Sequence, residues 1–367
     1  MKTLFTCHYP FDVNAGAAGV TWRLGQEYQK LGHDVNYYSL DDVPPIHKLA
    51  RFSAFPIFVA RQISQLLDQQ AVDVVDASTG DAWMWATLFS KFRKRRPLLV
   101  ARCHGLEHIE HLEYLEEARR GNLRLSWKYP LYRGSIHLWE AATSMRYADV
   151  VLLLNQRDRQ YVIDHLGIHP DRAHIVPNGI SDAYLNLPFE PTPAQGEPLR
   201  IAQVSSYIVR KGIQYGTPAL NRILQRHLHV EVAQVSSYIV RKGIQYGTPA
   251  LNRILQRHLH VEVSMLGTER PIEEVYAEFD PAVRDRVKVV PYYANNTLPT
   301  LLKGHHIKLF PTISEGFGVA LVEAMACGLA PITTATPGPL EIVQDGKDAI
   351  VIPCRDSSAI EQALDRY

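Results

Sequence analysis

The chain has 367 residues, of which 46% are hydrophobic and 21% charged, the proportions of a folded globular protein. Lys plus Arg (39) nearly cancels Asp plus Glu (38), so no global field draws it to nucleic acid or membrane, and any such attraction is local. No apolar run is long enough to span a bilayer, and the first residues lack a signal-peptide pattern. The scattered Cys7, Cys103, Cys327 and Cys354 form no metal or redox spacing. A cytoplasmic protein with reduced thiols is expected, each thiol a small buried apolar group. Two domains are expected at this length.

In chain order, residues 3–8 read as a strand, Val20 to Leu31 as a helix closed by Gly32, and Val35 to Leu40 as the next strand. Between the first strand and helix lies Asn14-Ala15-Gly16-Ala17-Ala18-Gly19, where glycine lets backbone approach a ligand. This is short of a full dinucleotide fingerprint, and a tight turn without a ligand is the alternative. Later strands fall at 72–75, 98–101 and 150–154, so a parallel sheet covered on both faces is expected. Ligands of such sheets sit at the carboxyl ends of strands, which singles out His104, just after the run Leu98 to Ala101. His108 and His111 follow, but no second cluster completes four-fold coordination, and no metal is expected. Lys91, Arg93, Lys94, Arg95 and Arg96 form a basic run whose ordinary reading is a solvated helix end.

Prolines 188, 191, 193 and 198 crowd the stretch 187–200, which reads as a linker. Strand–helix alternation then resumes, giving an α/β protein of two doubly wound domains, 1–186 and 201–367. Within the second, residues 202–232 recur without change as 233–263. Two copies are too few for a stacked array, so this is a tandem duplication inside a domain. One copy is expected to carry the sheet and the other to be accommodated as surplus. Copy two, which runs straight into Ser264-Met265-Leu266-Gly267, is taken as the working one.

The most informative segment is Ser314-Glu315-Gly316-Phe317-Gly318-Val319-Ala320-Leu321-Val322-Glu323-Ala324-Met325-Ala326-Cys327-Gly328. A strand, Ile307 to Phe310, leads into a glycine-bearing turn, then an apolar helix that Gly328 ends. Glu323 inside that helix is costly unless hydrogen-bond donors meet it, and sugar or ribose hydroxyls are suitable. Gly316 and Gly318 leave backbone N–H groups uncovered at the helix start, which suits phosphate or sugar oxygens. If both were helical, Glu315 and Glu323 would stand roughly 12 Å apart, too far for a shared acid–base pair. Spacing alone leaves open an ordinary helix with one solvent-facing Glu.

This segment, with Pro331 and the later Pro337-Gly338-Pro339-Leu340-Glu341, resembles the E-x7-E signature of family 4 retaining glycosyltransferases. Ala148-Asp149-Val150-Val151 and Ile175-Val176-Pro177-Asn178-Gly179 are similar to that family's last N-domain strand and its exit. The resemblance implies a GT-B fold, two Rossmann-like domains facing across a cleft, residues 1–186 on the acceptor side and 201–367 binding the nucleotide sugar. It implies that Glu315 contacts the donor sugar and Glu323 the ribose, with the amides of Gly316, Phe317 and Gly318 on sugar or diphosphate. The Lys of Lys211-Gly212, or its duplicate Lys242-Gly243, would neutralise the leaving diphosphate, a task worth roughly 3–4 kcal/mol. The family carries an Arg five residues before that Lys. Here the position holds Ser206 or Ser237, leaving Arg210 or Arg241 as substitutes. A solvated Arg-Lys pair at a helix start is the alternative.

By the same resemblance Gly16 faces the phosphates or acceptor, and His104 lies near the donor sugar. Transfer is retaining and metal-independent, with no bound cofactor, from a nucleoside-diphosphate sugar to a carbohydrate or lipid-linked acceptor. The basic run Lys91 to Arg96 would touch the inner face of the membrane peripherally. Two alternatives stand beside this: another GT-B activity such as a sugar-nucleotide epimerase, or a catalytically impaired nucleotide-sugar-binding fragment. The second arises because the sequence ends at Tyr367, where the family continues with C-terminal helices, and because the duplication falls inside the nucleotide-binding half.

Overall fold

The computed structural model describes the chain except residues 13–15, 46–47, 186, 188–198, 205–229, 236–262, 267–270, 278–279, 306, 365 and 367. Two units divide it, one of Met1–Leu112 with Leu125–Gly179, the other of Glu113–Arg124 with Ile180–Tyr367.

In the first unit β1 (Lys2–Cys7), β2 (Asp34–Ser39), β3 (Val74–Ser78), β4 (Leu98–Arg102), β5 (Val150–Leu153) and β6 (Ala173–Ile175) form one sheet in the order β2-β1-β3-β4-β5-β6. Every pairing is parallel. All of β1 after Lys2 is buried, Thr3 and Thr6 included, as a strand covered on both faces must be. Helix α1 (Ala17–Lys30) follows β1, and α2 (Lys48–Asp68) lays Phe55, Val59 and Ile63 onto the core at intervals of four residues. Helices α3 (Glu107–Arg119), α4 (Ile136–Tyr147) and α5 (Gln156–Leu166) complete it. The bounds of α5 follow from its ends: Asn155 Oδ1 accepts from the Asp158 N–H at 2.8 Å, and Gly167 takes the left-handed conformation at φ 71°. Strand order reverses between β1 and β3, so the crevice for a ligand opens where those two strands end.

The second unit holds β7 (Leu199–Val204), β8 (Val230–Val235), β9 (Val263–Leu266), β10 (Val287–Val290), β11 (Ile307–Phe310), β12 (Ala330–Thr334) and β13 (Ile350–Ile352). Their order is β10-β9-β8-β7-β11-β12-β13, again parallel throughout, with the reversal between β7 and β11. The described helices are α6 (Ile272–Ala277), α7 (Leu298–Leu302), α8 (Val319–Ala326), α9 (Pro337–Leu340) and α10 (Ser357–Leu364). The last residues of α3 also belong here: Arg355 Nε donates to the buried Glu117 at 2.5 Å, and its Nη2 to Glu113.

The duplication corrects an expectation. Neither copy is surplus to the sheet. β7 and β8 pair with Ala202 opposite Ala233, Gln203 opposite Gln234 and Val204 opposite Val235, and Val232 in turn faces Val263 of β9. At these four positions a residue meets its own duplicate. β7 and β8 share only their last three residues, but any parallel strand presents the same backbone row of donors and acceptors to the next one. Removing β8 on paper leaves the common six-strand order 3-2-1-4-5-6. β7 also begins at Leu199, inside the expected linker, whose remaining residues lie almost wholly outside the described ones.

Candidate active site

At the reversal in the second unit, β11 runs out through Pro311 and Thr312 into the loop that carries Glu315. Thr312 Oγ1 donates to the Ser314 carbonyl at 3.0 Å, and Thr334 on β12 donates its hydroxyl to the Thr312 carbonyl. Buried threonines therefore pin the strand exit from one side. From the other, the Gly338 N–H donates to the Glu315 carbonyl at 3.1 Å. A Cβ at Gly338 would lie 2.7 Å from Glu315 O, Phe317 N and Phe317 O, a distance no real side chain keeps from backbone. The loop sits against Gly338 because that residue has no side chain.

Gly318 caps α8 at φ 102°, a conformation L side chains rarely adopt, and a Cβ there would also crowd the Phe310 ring at 3.4 Å. The N–H groups of Phe317 and Gly318 make no hydrogen bond within the protein among the described residues. Glu315 and Gly316 are half-buried, and Phe317 is buried. The outcome is a rigid turn presenting backbone donors beside a carboxylate.

Glu323 is 5% exposed, one turn into α8, so the solvent-facing reading is excluded. Sequence reasoning looked for its donors in a ligand. One is in the protein: Asn295 Nδ2 donates to Glu323 Oε1 at 2.9 Å. Asn295 is itself held, its carbonyl accepting from the hydroxyl of the buried Tyr184 at 2.8 Å. The negative charge is felt nearby. Burial, then Glu323, pushes the Tyr293 hydroxyl up to about 12, and the same two causes push the Cys327 thiol up to about 11. Cys327 and Cys354 are half-buried, whereas Cys7 and Cys103 are buried as expected. The helix α8 is less enclosed than its apolar sequence implies, since Val322 and Met325 are half-buried.

In the first unit His104 follows β4 and reaches α1, with Nε2 3.3 Å from Thr21 Oγ1. The Thr21 hydroxyl donates to the Ala17 carbonyl at 3.1 Å, so the ring nitrogen must be the donor to Thr21 oxygen, leaving Nδ1 as an acceptor. Burial, then the charges of Arg102 and His8, lowers the His104 pKa to about 3, so the ring is neutral. Arg102 is itself clamped by Asp76 through two bonds of 3.0 and 2.6 Å. Gly16 opens α1, its carbonyl accepting from the Val20 N–H at 3.0 Å, and a Cβ there would meet nothing within 4 Å.

Lys211, Lys242, Arg210 and Arg241 lie outside the described residues. The basic run is not a bare patch: Arg93, Arg95 and Arg96 pair with Asp68, Asp73 and Asp149, and Lys91 and Lys94 have no partner among the described residues. Beside them Phe92 is 86% exposed. Among the described residues no helix is long and apolar enough to cross a membrane, and no three His, Cys, Asp or Glu are grouped to hold a metal ion. Sequence reasoning missed Asn295, Tyr184 and the packing role of Gly338, since only the fold brings them to the signature.

Comparison with known proteins converges on one class. The model for Glycosyltransferase Family 4 matches residues 15–184, and that for Glycosyl transferases group 1 matches residues 229–367. The chain belongs to the family 4 glycosyltransferases of GT-B fold. It is 24% identical to alpha-maltose-1-phosphate synthase of Mycolicibacterium smegmatis over 98% of this chain and 87% of that one. It is 28% identical to D-inositol 3-phosphate glycosyltransferase of Salinispora tropica over 27% of this chain, and the match spans only 21% of that protein. Anabaena HepE in complex with UDP and glucose shares the fold at a TM-score of 0.63 and 16% identity, over 100% of this chain and 89% of that chain.

Proposed function

We propose that the chain transfers a sugar, with retention of configuration and without a metal ion, from a nucleoside-diphosphate sugar to a hydroxyl acceptor. The observation that carries this reading is the turn Glu315 to Gly318, pinned by Thr312 and Gly338, with the N–H groups of Phe317 and Gly318 unpaired and Glu323 buried behind it. Glu315 and the loop amides would hold the donor sugar and diphosphate, and Glu323, oriented by Asn295, the ribose. The UDP and glucose bound by HepE in one solved structure, and the UDP-glucose bound in another, support a donor of this class.

In the step itself the acceptor oxygen bonds to the anomeric carbon as its bond to the β-phosphate oxygen breaks. The acceptor proton passes to the departing phosphate. The protein positions the reactants and stabilises the diphosphate, a task for the loop amides with Lys211 or Lys242 and Arg210 or Arg241. No protein carboxylate is needed as a base, in keeping with Glu315 and Glu323 as a clamp. His104, neutral with its one N–H turned to Thr21, would accept a single hydrogen bond from the donor sugar through Nδ1, and Gly16 would let backbone approach the phosphates or acceptor.

The test is a panel of UDP-, ADP- and GDP-sugars with simple acceptors, read as nucleoside diphosphate released with and without EDTA, and by NMR of the product anomer. Release unaffected by EDTA, with the donor's anomeric configuration kept, is expected. An inverted product or an EDTA-abolished rate would overturn the respective element, and free epimer without acceptor would favour an epimerase.

Peripheral membrane contact is a second reading, favoured by Lys91 and Lys94 beside the exposed Leu88, Phe89 and Phe92. Pelleting with anionic vesicles at moderate salt tests it, and a chain that stays in the supernatant removes it.

A further inference from the structure

We propose that the crevice at the carboxyl end of β1 and β3 seats an uncharged pyranose ring of the acceptor, with His8 Nε2 orienting its reacting hydroxyl. The inference rests on the glycosyltransferase reading and names the acceptor's chemistry.

His8 is the first residue after β1, at the strand-order reversal of the first unit. Its Nδ1 lies 2.9 Å from Asp81 Oδ1, and the other oxygen, Asp81 Oδ2, accepts from Thr6 Oγ1 at 3.0 Å. Asp81 is 3% exposed with both oxygens engaged, so its task is to fix the imidazole. With Nδ1 tied to a carboxylate, Nε2 is the free end of the ring, and nothing in the described protein bonds to it. The turn that delivers Asp81 is over-determined. Thr79 holds φ 40° without being glycine, and a Cβ on Gly80 would come within 3.2 Å of the Ala141 backbone nitrogen.

Around His8 stand aromatic faces: Tyr9 at 4.6 Å, Phe52 at 5.4 Å and His137 at 6.3 Å between centroids. Tyr132 closes the panel, 6.3 Å from Phe52 and 5.8 Å from His137, its hydroxyl donating to Glu140 Oε2 at 3.1 Å. Such rings match the C–H face of a pyranose, whose rim of hydroxyls needs acceptors. One is waiting. Glu107 takes a hydrogen bond from the Thr79 side chain, while its Oε2 is shielded from solvent and has no partner. A buried carboxylate oxygen without a donor is costly, and a sugar hydroxyl would relieve it. Asp81, Glu107 and Glu140 outweigh the guanidinium of Arg133, so a phosphorylated polyol would bring negative charge to an acidic site.

The test is saturation-transfer NMR on the full chain with methyl α-glucopyranoside, myo-inositol 1-phosphate and UDP as probes. Saturation of the pyranoside ring protons is expected, falling at least five-fold in Phe52→Leu, with a Kd rise of about five- to ten-fold in His8→Gln. The UDP signal should be unchanged in both variants. Thermal melting screens both for folding. If His8→Gln fails that screen, Phe52→Leu, whose ring is half-buried, decides. A silent pyranoside, a signal indifferent to both substitutions, or displacement of the pyranoside by the inositol phosphate would each overturn the proposal. UDP, ADP and GDP are read in parallel: silence from all three would sink the donor reading, and the pyranoside result stands apart from it.

Discussion

The two glycine-bearing turns, one in each unit, look alike in sequence and differ in what requires the glycine. Around Glu315 the protein itself requires it: Gly338 has backbone atoms 2.7 Å from where its Cβ would be, and Gly318 sits at φ 102°. At Gly16 the protein requires nothing, since a Cβ would meet no atom within 4 Å. The first turn is built before any ligand arrives. Gly16 itself has open space, so any need for glycine there comes from a ligand. A motif's glycines are thus two kinds of statement, one about folding and one about binding, and substitutions separate them.

Gly338→Ala should do the most damage. Its methyl cannot be accommodated without moving the 315–317 backbone, a cost of about 2–3 kcal/mol as for other overpacked sites. Sugar transfer should fall by more than a hundred-fold, with a lowered urea midpoint. Wild-type stability and activity together would refute the buttress. Next comes Asn295→Ala, which strips Glu323 of a buried donor and should cost about 1–3 kcal/mol. In the same assay nucleotide affinity should weaken, and Glu323→Gln in the Asn295→Ala background should recover part of the stability, since a neutral amide loses less than a carboxylate when one donor is removed.

His104 separates the units by pH. Its folded pKa, about 3, lies below the ordinary value of 6.5, so the folded protein binds fewer protons between those limits. Stability attributable to it is complete above about pH 6.5 and is lost as pH falls toward 3, by up to about 1.4 kcal/mol per pH unit. His104→Gln should flatten the acid side of the stability curve measured by urea unfolding at pH 7 and 4.5. An unchanged slope would show that the ring is not buried neutral. Gly16→Ala is the smallest effect on the fold, a few tenths of a kcal/mol either way. Its Tm should match wild type while acceptor or donor KM rises, and an unaltered KM would reduce the turn to a connector.

Much of this was legible from the sequence because it depends on neighbours along the chain. The runs at 98–101 and 307–310 are strands, Gly32 and Gly328 take positive φ beyond their helices, and an apolar helix does bury Glu323. What escaped depends on residues far apart in sequence. Asn295 reaches Glu323 from 28 positions away, and Asp81 meets His8 across 73. No local pattern marks an ordinary Asn in Ala294-Asn295-Asn296 as the partner of a buried carboxylate. The duplication misled for a different reason. Its identity argued for redundancy, but strand pairing is indifferent to redundancy and responds only to a matching edge.

That matching edge has a metric consequence. Adjacent strands stand about 4.8 Å apart, so inserting β8 between β7 and β9 displaces everything carried by β9 and β10 by that step relative to the turn after β11. It adds roughly 20–25° of twist as well. The repeat therefore acts as a shim of one strand's width: a ligand gripped from both sides of the sheet would have to span a longer gauge than a six-stranded version offers. Excising residues 202–232 would restore the shorter gauge and leave a fused strand, Leu199 to Ile201 followed by Ala233 to Val235, with the same residues that β7 now sets beside β11.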